Sequence, residues 1–126
     1  MRKIATDAAP QAVGPYSQGV MLNNLVFTSG QIPLDPVTGL MVAGGIEEQT
    51  EQSCRNVKAV LEAAGSSLEK VVKTTCFLND MADFQKFNQV YERHFVSCPA
   101  RSTVAVKALP KGALCEIEAI AVVGEA

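Results

Sequence analysis

The sequence predicts an α+β fold in which two helices cover one face of a mixed sheet. Two segments carry apolar residues at 3/4 spacing, and several β-branched or alternating runs are too short for helices. Strands come both before and after the helices and also separate them, an order that suits a single layer of helices on a sheet. Val20-Met21-Leu22 and Leu25-Val26-Phe27-Thr28-Ser29 flank Asn23-Asn24, a pair that tolerates positive φ, so a hairpin is expected from Val20 to Gln31. Pro33, Asp35-Pro36 and Thr38-Gly39 mark a loop, followed by a short strand around Met41-Val42 and by Gly44-Gly45. Ile46 to Ala64 reads as a helix. Glu47 and Glu48 suit its positive end, Gly65 stops it, and Cys54, Val57, Leu61 and Ala64 share one face. Cys54 is accordingly a core residue. Val71 to Leu78 is a strand, and Asp80 caps a second helix reaching about Phe95, with Phe84, Phe87, Tyr91 and Phe95 as its stripe. Two last strands, Arg101 to Val106 and Leu114 to Val123, are expected to pair as a hairpin through Pro110–Gly112.

At 126 residues the chain is expected to form one domain spanning 1–126, large enough to fold without a metal or disulfide staple. With 48% hydrophobic residues it is not a disordered chain; with 6% aromatics and no Trp, its core must come mainly from Ala, Val, Ile and Leu. Eleven basic against thirteen acidic residues leave a net charge of −2, and Arg2-Lys3 is the only basic pair, which disfavours nucleic acid as a partner. No apolar run is long enough for a membrane span, and Met1–Asp7 lacks the apolar region of a signal peptide, so a cytoplasmic protein is expected. Cys54, Cys76, Cys98 and Cys115 lie far apart and are read as free thiols. A single histidine, His94, excludes two-His metal sites; near a helix C-terminus it is read as a dipole-stabilising surface residue.

Several residues break these patterns. Asn88 falls on the apolar stripe of the second helix and needs a hydrogen-bond partner, which could be nothing more than a neighbouring loop. Glu116 and Glu118 interrupt one face of the last strand, so either that face meets solvent or a cation sits opposite. With the expected hairpin, Arg101 is the nearby cation. It could form an ordinary cross-strand ion pair, or present its fork to a substrate carboxylate while one Glu handles protons. Gly14-Pro15-Tyr16-Ser17-Gln18-Gly19 lacks the ending of a phosphate loop and forms a rigid loop presenting Tyr16, by default a packed surface aromatic. Ser29-Gly30-Gln31 ends a strand where glycine permits close approach of a ligand or a simple bulge, and Ser29 has no nucleophile-elbow context.

Together, Gly14-Pro15-Tyr16-Ser17-Gln18, Phe27-Thr28-Ser29-Gly30-Gln31, Pro99-Ala100-Arg101-Ser102 and Glu116-Ile117-Glu118-Ala119-Ile120-Ala121 resemble the RidA (YjgF) family, in order and over essentially the whole chain. The resemblance implies a chorismate-mutase-like α+β fold, a six-stranded sheet backed by two helices, and a homotrimer with a cleft between adjacent subunits. It implies a cofactor-independent 2-iminobutanoate/2-iminopropanoate deaminase. Such an enzyme hydrolyses 2-aminoacrylate and 2-aminocrotonate, released by PLP-dependent dehydratases, to 2-oxo acids and ammonia. By the same resemblance Arg101 holds the substrate carboxylate, Glu116 positions or activates water, and Tyr16, Ser29, Gly30 and Asn88 line the cleft. Thr103, grouped with the substrate-binding positions, stands where several active members carry cysteine. Cys115 stands where an aliphatic residue is usual, and the segment His94–Cys98 is short.

The implied chemistry suits these residues. An iminium carbon is already electrophilic and needs neither metal nor covalent nucleophile, and a Glu with a raised pKa can pass a proton from water to departing ammonia. A non-catalytic trimeric ligand-binding or chaperone-like protein using the same cleft is the alternative. A ribonuclease is disfavoured by the acidic composition.

Overall fold

The computed structural model describes residues 1–124. Six strands form one sheet: β1 (Arg2–Ile4), β2 (Gly19–Leu22), β3 (Leu25–Thr28), β4 (Val71–Leu78), β5 (Ala100–Ala105) and β6 (Cys115–Val122). Two helices, α1 (Ile46–Ala63) and α2 (Phe84–His94), follow β3 and β4. The strand order is β1-β2-β3-β6-β4-β5, antiparallel everywhere except between β4 and β5. The fold is thus the expected α+β class with a mixed six-stranded sheet.

The connections follow from strand direction. Both β3 and β4 run antiparallel to β6, so they are parallel to each other, and parallel strands need a crossover. Helix α1 makes that crossover from β3 to β4, and α2 makes the next one from β4 to β5. Their apolar stripes meet the same side of the sheet. Cys54, Val57, Val60 and Leu61 of α1 and Phe87 and Tyr91 of α2 are buried with Cys76 and Leu78 of β4 and Cys115, Ile117, Ala119 and Ala121 of β6. Asp80 caps one turn earlier than expected: its carboxylate accepts the Ala82 N–H at 2.9 Å at the start of a 3₁₀ turn that runs into α2, whose own N-cap is Asp83. Polar residues on the inner side of α1 hold loops. The Asn56 amide donates to the carbonyls of Ile32 (3.1 Å) and Leu34 (3.0 Å), and Gln49 accepts the Leu114 N–H at 2.8 Å.

Among the described residues, no helix covers the other side of the sheet. Along β6, Glu116, Glu118, Ile120 and Val122 are half-buried while their neighbours are buried, so the two carboxylates lie on the open face of the sheet. Phe27, Lys73, Thr75, Glu118 and Ile120 border a shallow hollow of about 140 Å³ there.

Three expectations need correction. The segment at Met41-Val42 makes only one isolated bridge, Leu34 to Met41, and the sixth strand is instead Arg2–Ile4, paired with β2. The strand carrying Arg101 does not pair with the last strand: β6 is occupied on both edges by β3 and β4, so β5 adds to the far edge of β4. His94 ends α2 as expected, but it does not simply face solvent: its Nε2 meets the Glu51 carboxylate at 2.8 Å and clasps α2 to α1.

Candidate functional site

Arg101 stands beside Thr74 in the β4–β5 register, and Thr74 stands beside Ala119 of β6. Laterally paired residues share a face, and Thr74 and Ala119 are buried beneath the helices. Arg101 therefore emerges on the helix-covered side, at the sheet edge. Glu116 pairs with Phe77 on the open side. Within one chain the two side chains leave opposite faces of the sheet. The expected convergence of Arg101 and Glu116 from neighbouring strands does not occur, and neither ion pair among the described residues involves Arg101.

What Arg101 meets instead is α2. Its Nη1 donates to Asn88 Oδ1 at 2.8 Å. Its guanidinium carbon lies 4.8 Å from the ring centre of Tyr91 and 5.5 Å from that of Phe84, within cation–π range. The crossover explains the meeting: a parallel β4–β5 pair lays α2 against β5, and the amide on the apolar stripe finds its partner there. Tyr91 is itself fixed. Its ring stacks on Phe95 and Phe87, at 4.4 and 5.7 Å between centres, and its hydroxyl is 2.6 Å from Thr74 Oγ1. Burial pushes this phenol up to about 12. Asn88, Tyr91, Phe95, Cys98, Pro99 and Arg101 border a cleft of about 370 Å³. Thr103, two residues along β5 and beside Cys76, has a buried hydroxyl with no hydrogen-bond partner among the described residues.

The remaining candidates gather around the other end of the molecule's polar chemistry. Gln31 and Ile117 exchange backbone hydrogen bonds (2.8 and 3.2 Å), which lays Ser29-Gly30-Gln31 alongside β6. The Glu116 carboxyl then rests against Gly30, where a Cβ would come within 2.7 Å of its Cδ. Ser29 engages its hydroxyl within the chain. It donates to the Ser17 carbonyl at 2.5 Å, and its N–H bonds the Gln18 carbonyl at 2.9 Å, so it fixes the loop that carries Tyr16. Tyr16 is half exposed and shares a small hollow with Gly30 and Gln31. Burial, reinforced by the neighbouring Glu118, raises the Glu116 pKa above the usual carboxylate value.

The candidate residues of one chain thus fall into two groups: Arg101, Asn88 and Thr103 at the β5 edge, and Tyr16, Ser29, Gly30 and Glu116 on the far side. Sequence reasoning missed Phe84 and Tyr91 as neighbours of the guanidinium. The Tyr in an otherwise Phe stripe was a signal, since a buried hydroxyl needs a partner. It also missed Gln18, whose side-chain amide donates to the carbonyls of Thr6, Ala9 and Pro10 and accepts the Thr6 N–H, tying down the segment before the Tyr16 loop. Among the described residues no three His, Cys, Asp or Glu side chains cluster as a metal site requires, and no helix is long and apolar enough to cross a membrane.

The family model described as Endoribonuclease L-PSP matches residues 6–123. A RutC family protein of Pyrococcus horikoshii is 54% identical over 119 residues, covering 94% of each chain. A Salmonella typhimurium protein named 2-iminobutanoate/2-iminopropanoate deaminase is 52% identical over 125 residues, covering 96% of this chain and 97% of its own. The crystal structure of E. coli TdcF with bound serine superposes with a TM-score of 0.93 at 46% identity, covering 98% of this chain and all of the other. By sequence over nearly its whole length, and by fold, this chain belongs to the RidA (YjgF) family of Endoribonuclease L-PSP proteins.

Proposed function

We propose that the protein is a cofactor-independent deaminase that hydrolyses small 2-imino acids and their enamine tautomers to 2-oxo acids and ammonia, in a cleft built from two subunits of a homotrimer. The observation that carries this reading is the complementarity of the two half-sites. One is a cationic fork with free N–H donors; the other is a half-buried carboxyl held toward neutrality, beside a glycine. A 2-imino acid needs both, and the sheet keeps them apart in one chain. The uncovered face bearing Phe27, Phe77, Ile120 and Val122 supports an assembly that covers it. The Salmonella relative carries the name of this activity, and the TdcF structure holds a small amino acid.

In this mechanism Arg101 takes the substrate carboxylate in a two-point ion pair, orienting the C=N carbon toward the neighbouring subunit's Glu116. The Glu116 carboxylate accepts a proton from water as the water oxygen bonds to the iminium carbon, and the C=N π pair moves to nitrogen. Glu116 then returns the proton to nitrogen. The oxygen lone pair forms C=O as the C–N bond breaks, the hydroxyl proton passes to solvent, and ammonia departs. An enamine enters by protonation at its terminal carbon, for which a carboxyl with a raised pKa is suited. PLP-dependent dehydratases are the class of enzyme that supplies such substrates.

Freshly generated 2-aminocrotonate tests the reading through the rate of ammonia release. Wild type accelerates it over buffer, Arg101→Ala abolishes the acceleration with the assembly intact, and Glu116→Gln slows turnover more than binding. No acceleration by wild type rejects the enzyme. Binding of 2-oxobutanoate without turnover would favour the ligand-binding alternative, for which the serine-bound relative is the specific support.

A further inference from the structure

Among the described residues, the hydrogen-bond and ring partners of the Arg101 guanidinium are all uncharged. Asn88 supplies an acceptor at 2.8 Å, and Tyr91 and Phe84 supply ring faces at 4.8 and 5.5 Å. Arginine has five N–H donors and no acceptor, so the amide must face Nη1 with its oxygen and not its NH2 group. Two side chains of the same shape could place an oxygen there, Asn and Asp. Aspartate makes the stronger bond, a charge-assisted one, but it spends the positive charge. Glu92, one turn further along α2 on the same cleft, makes no ion pair with Arg101.

We propose that Asn88 is a positioning residue that works through its neutrality: with the rings of Phe84 and Tyr91 it fixes the Arg101 fork without discharging it, reserving the free N–H edge for a small carboxylate. The inference rests on the reading that Arg101 clamps a substrate carboxylate, and it assigns Asn88 to the arginine rather than to the substrate. The rings add attraction for the planar cation, while the amide consumes only one of its five donors. Such a cradle leaves a full unit of charge at a partly buried position, where it attracts an anion more strongly than in open water.

The test compares Asn88→Asp and Asn88→Ala in the assembled protein, by calorimetric titration with 2-oxobutanoate and by thermal unfolding. Asp retains the bond to Arg101, so its melting temperature equals or exceeds that of wild type; Ala loses the bond and melts lower. Binding is expected in a different order. Asn88→Asp weakens 2-oxobutanoate binding by about tenfold or more, the loss typical of a charge-assisted contact, and Asn88→Ala by only about two- to fivefold. A residue with a merely structural role gives the same order in both measurements. An Asp variant that binds as well as wild type, or better than the Ala variant, overturns the inference alone. A wild type that binds no 2-oxobutanoate overturns the reading beneath it, and the inference with it.

Discussion

The Glu116 carboxyl lies against the α-carbon of Gly30, in the space that a side chain at residue 30 would fill. The backbone exchange between Gln31 and Ile117 sets the spacing of the two main chains, which cannot widen without breaking that pairing. The carboxyl is the flexible end of its side chain and can move.

Gly30→Ala is therefore expected to fold with a melting temperature close to that of wild type, because the new methyl displaces a side chain and not the sheet. Turnover should fall by about 10²-fold, the scale on which a displacement of roughly 1 Å acts on a catalytic group. Steady-state kinetics beside a melting curve checks both. An active Gly30→Ala enzyme would free Glu116 from its assigned place.

Burial and then the Glu118 charge raise the Glu116 pKa, which fixes the sign of two pH effects. In the proposed role of base Glu116 must be ionised, so kcat/KM should fall as pH falls through an apparent pKa above 4.5, and Glu118→Gln should move that limb downward. For stability, a carboxyl whose folded pKa is raised favours the fold below its unfolded pKa, and that contribution is lost as pH rises through the folded value. Glu116→Gln is thus expected to melt no lower than wild type at pH 7, with any advantage disappearing below about 4.5. A pH–rate profile and melting curves at several pH values decide it.

Three thiols are sealed in the core and one is not. Burial pushes Cys76 up to about 11 and raises Cys54 and Cys115 as well, whereas Cys98 is exposed and borders the Arg101 cleft. An iodoacetamide titration of the native protein should modify Cys98 alone, with all four cysteines reacting after unfolding. Excess 2-oxobutanoate should slow the modification if it binds as proposed, because Cys98 and Arg101 line the same cleft. Labelling of a buried thiol at a similar rate would show that the core opens readily.

Much of this architecture is legible in the residues, and the failures have physical causes. The stripe of Cys54, Val57, Leu61 and Ala64 announced α1 because a helix this long must bury one face, and all four are buried. Strand β1 gave no signal: of Arg2, Lys3 and Ile4 only Ile4 is buried, and three residues cannot show alternation. The misplaced partner of β5 is more instructive. Pro110–Gly112 is a genuine turn signal, but a local turn does not say whether the next strand still has a free edge. β6 had none, since β3 and β4 flank it. The demand of Asn88 for a partner was readable from its place on the stripe. That the partner would be Arg101 depended on the parallel crossover, which no local pattern encodes.

The β4 strand, lying between β5 and β6, sets the guanidinium and the carboxyl on opposite sides of a single layer. If chemistry requires both, a solitary copy is idle however well it is folded. Output per molecule would then decline on dilution, and equimolar mixing of the Arg101→Ala and Glu116→Gln proteins would regenerate some intact clefts and exceed the activity of either variant alone.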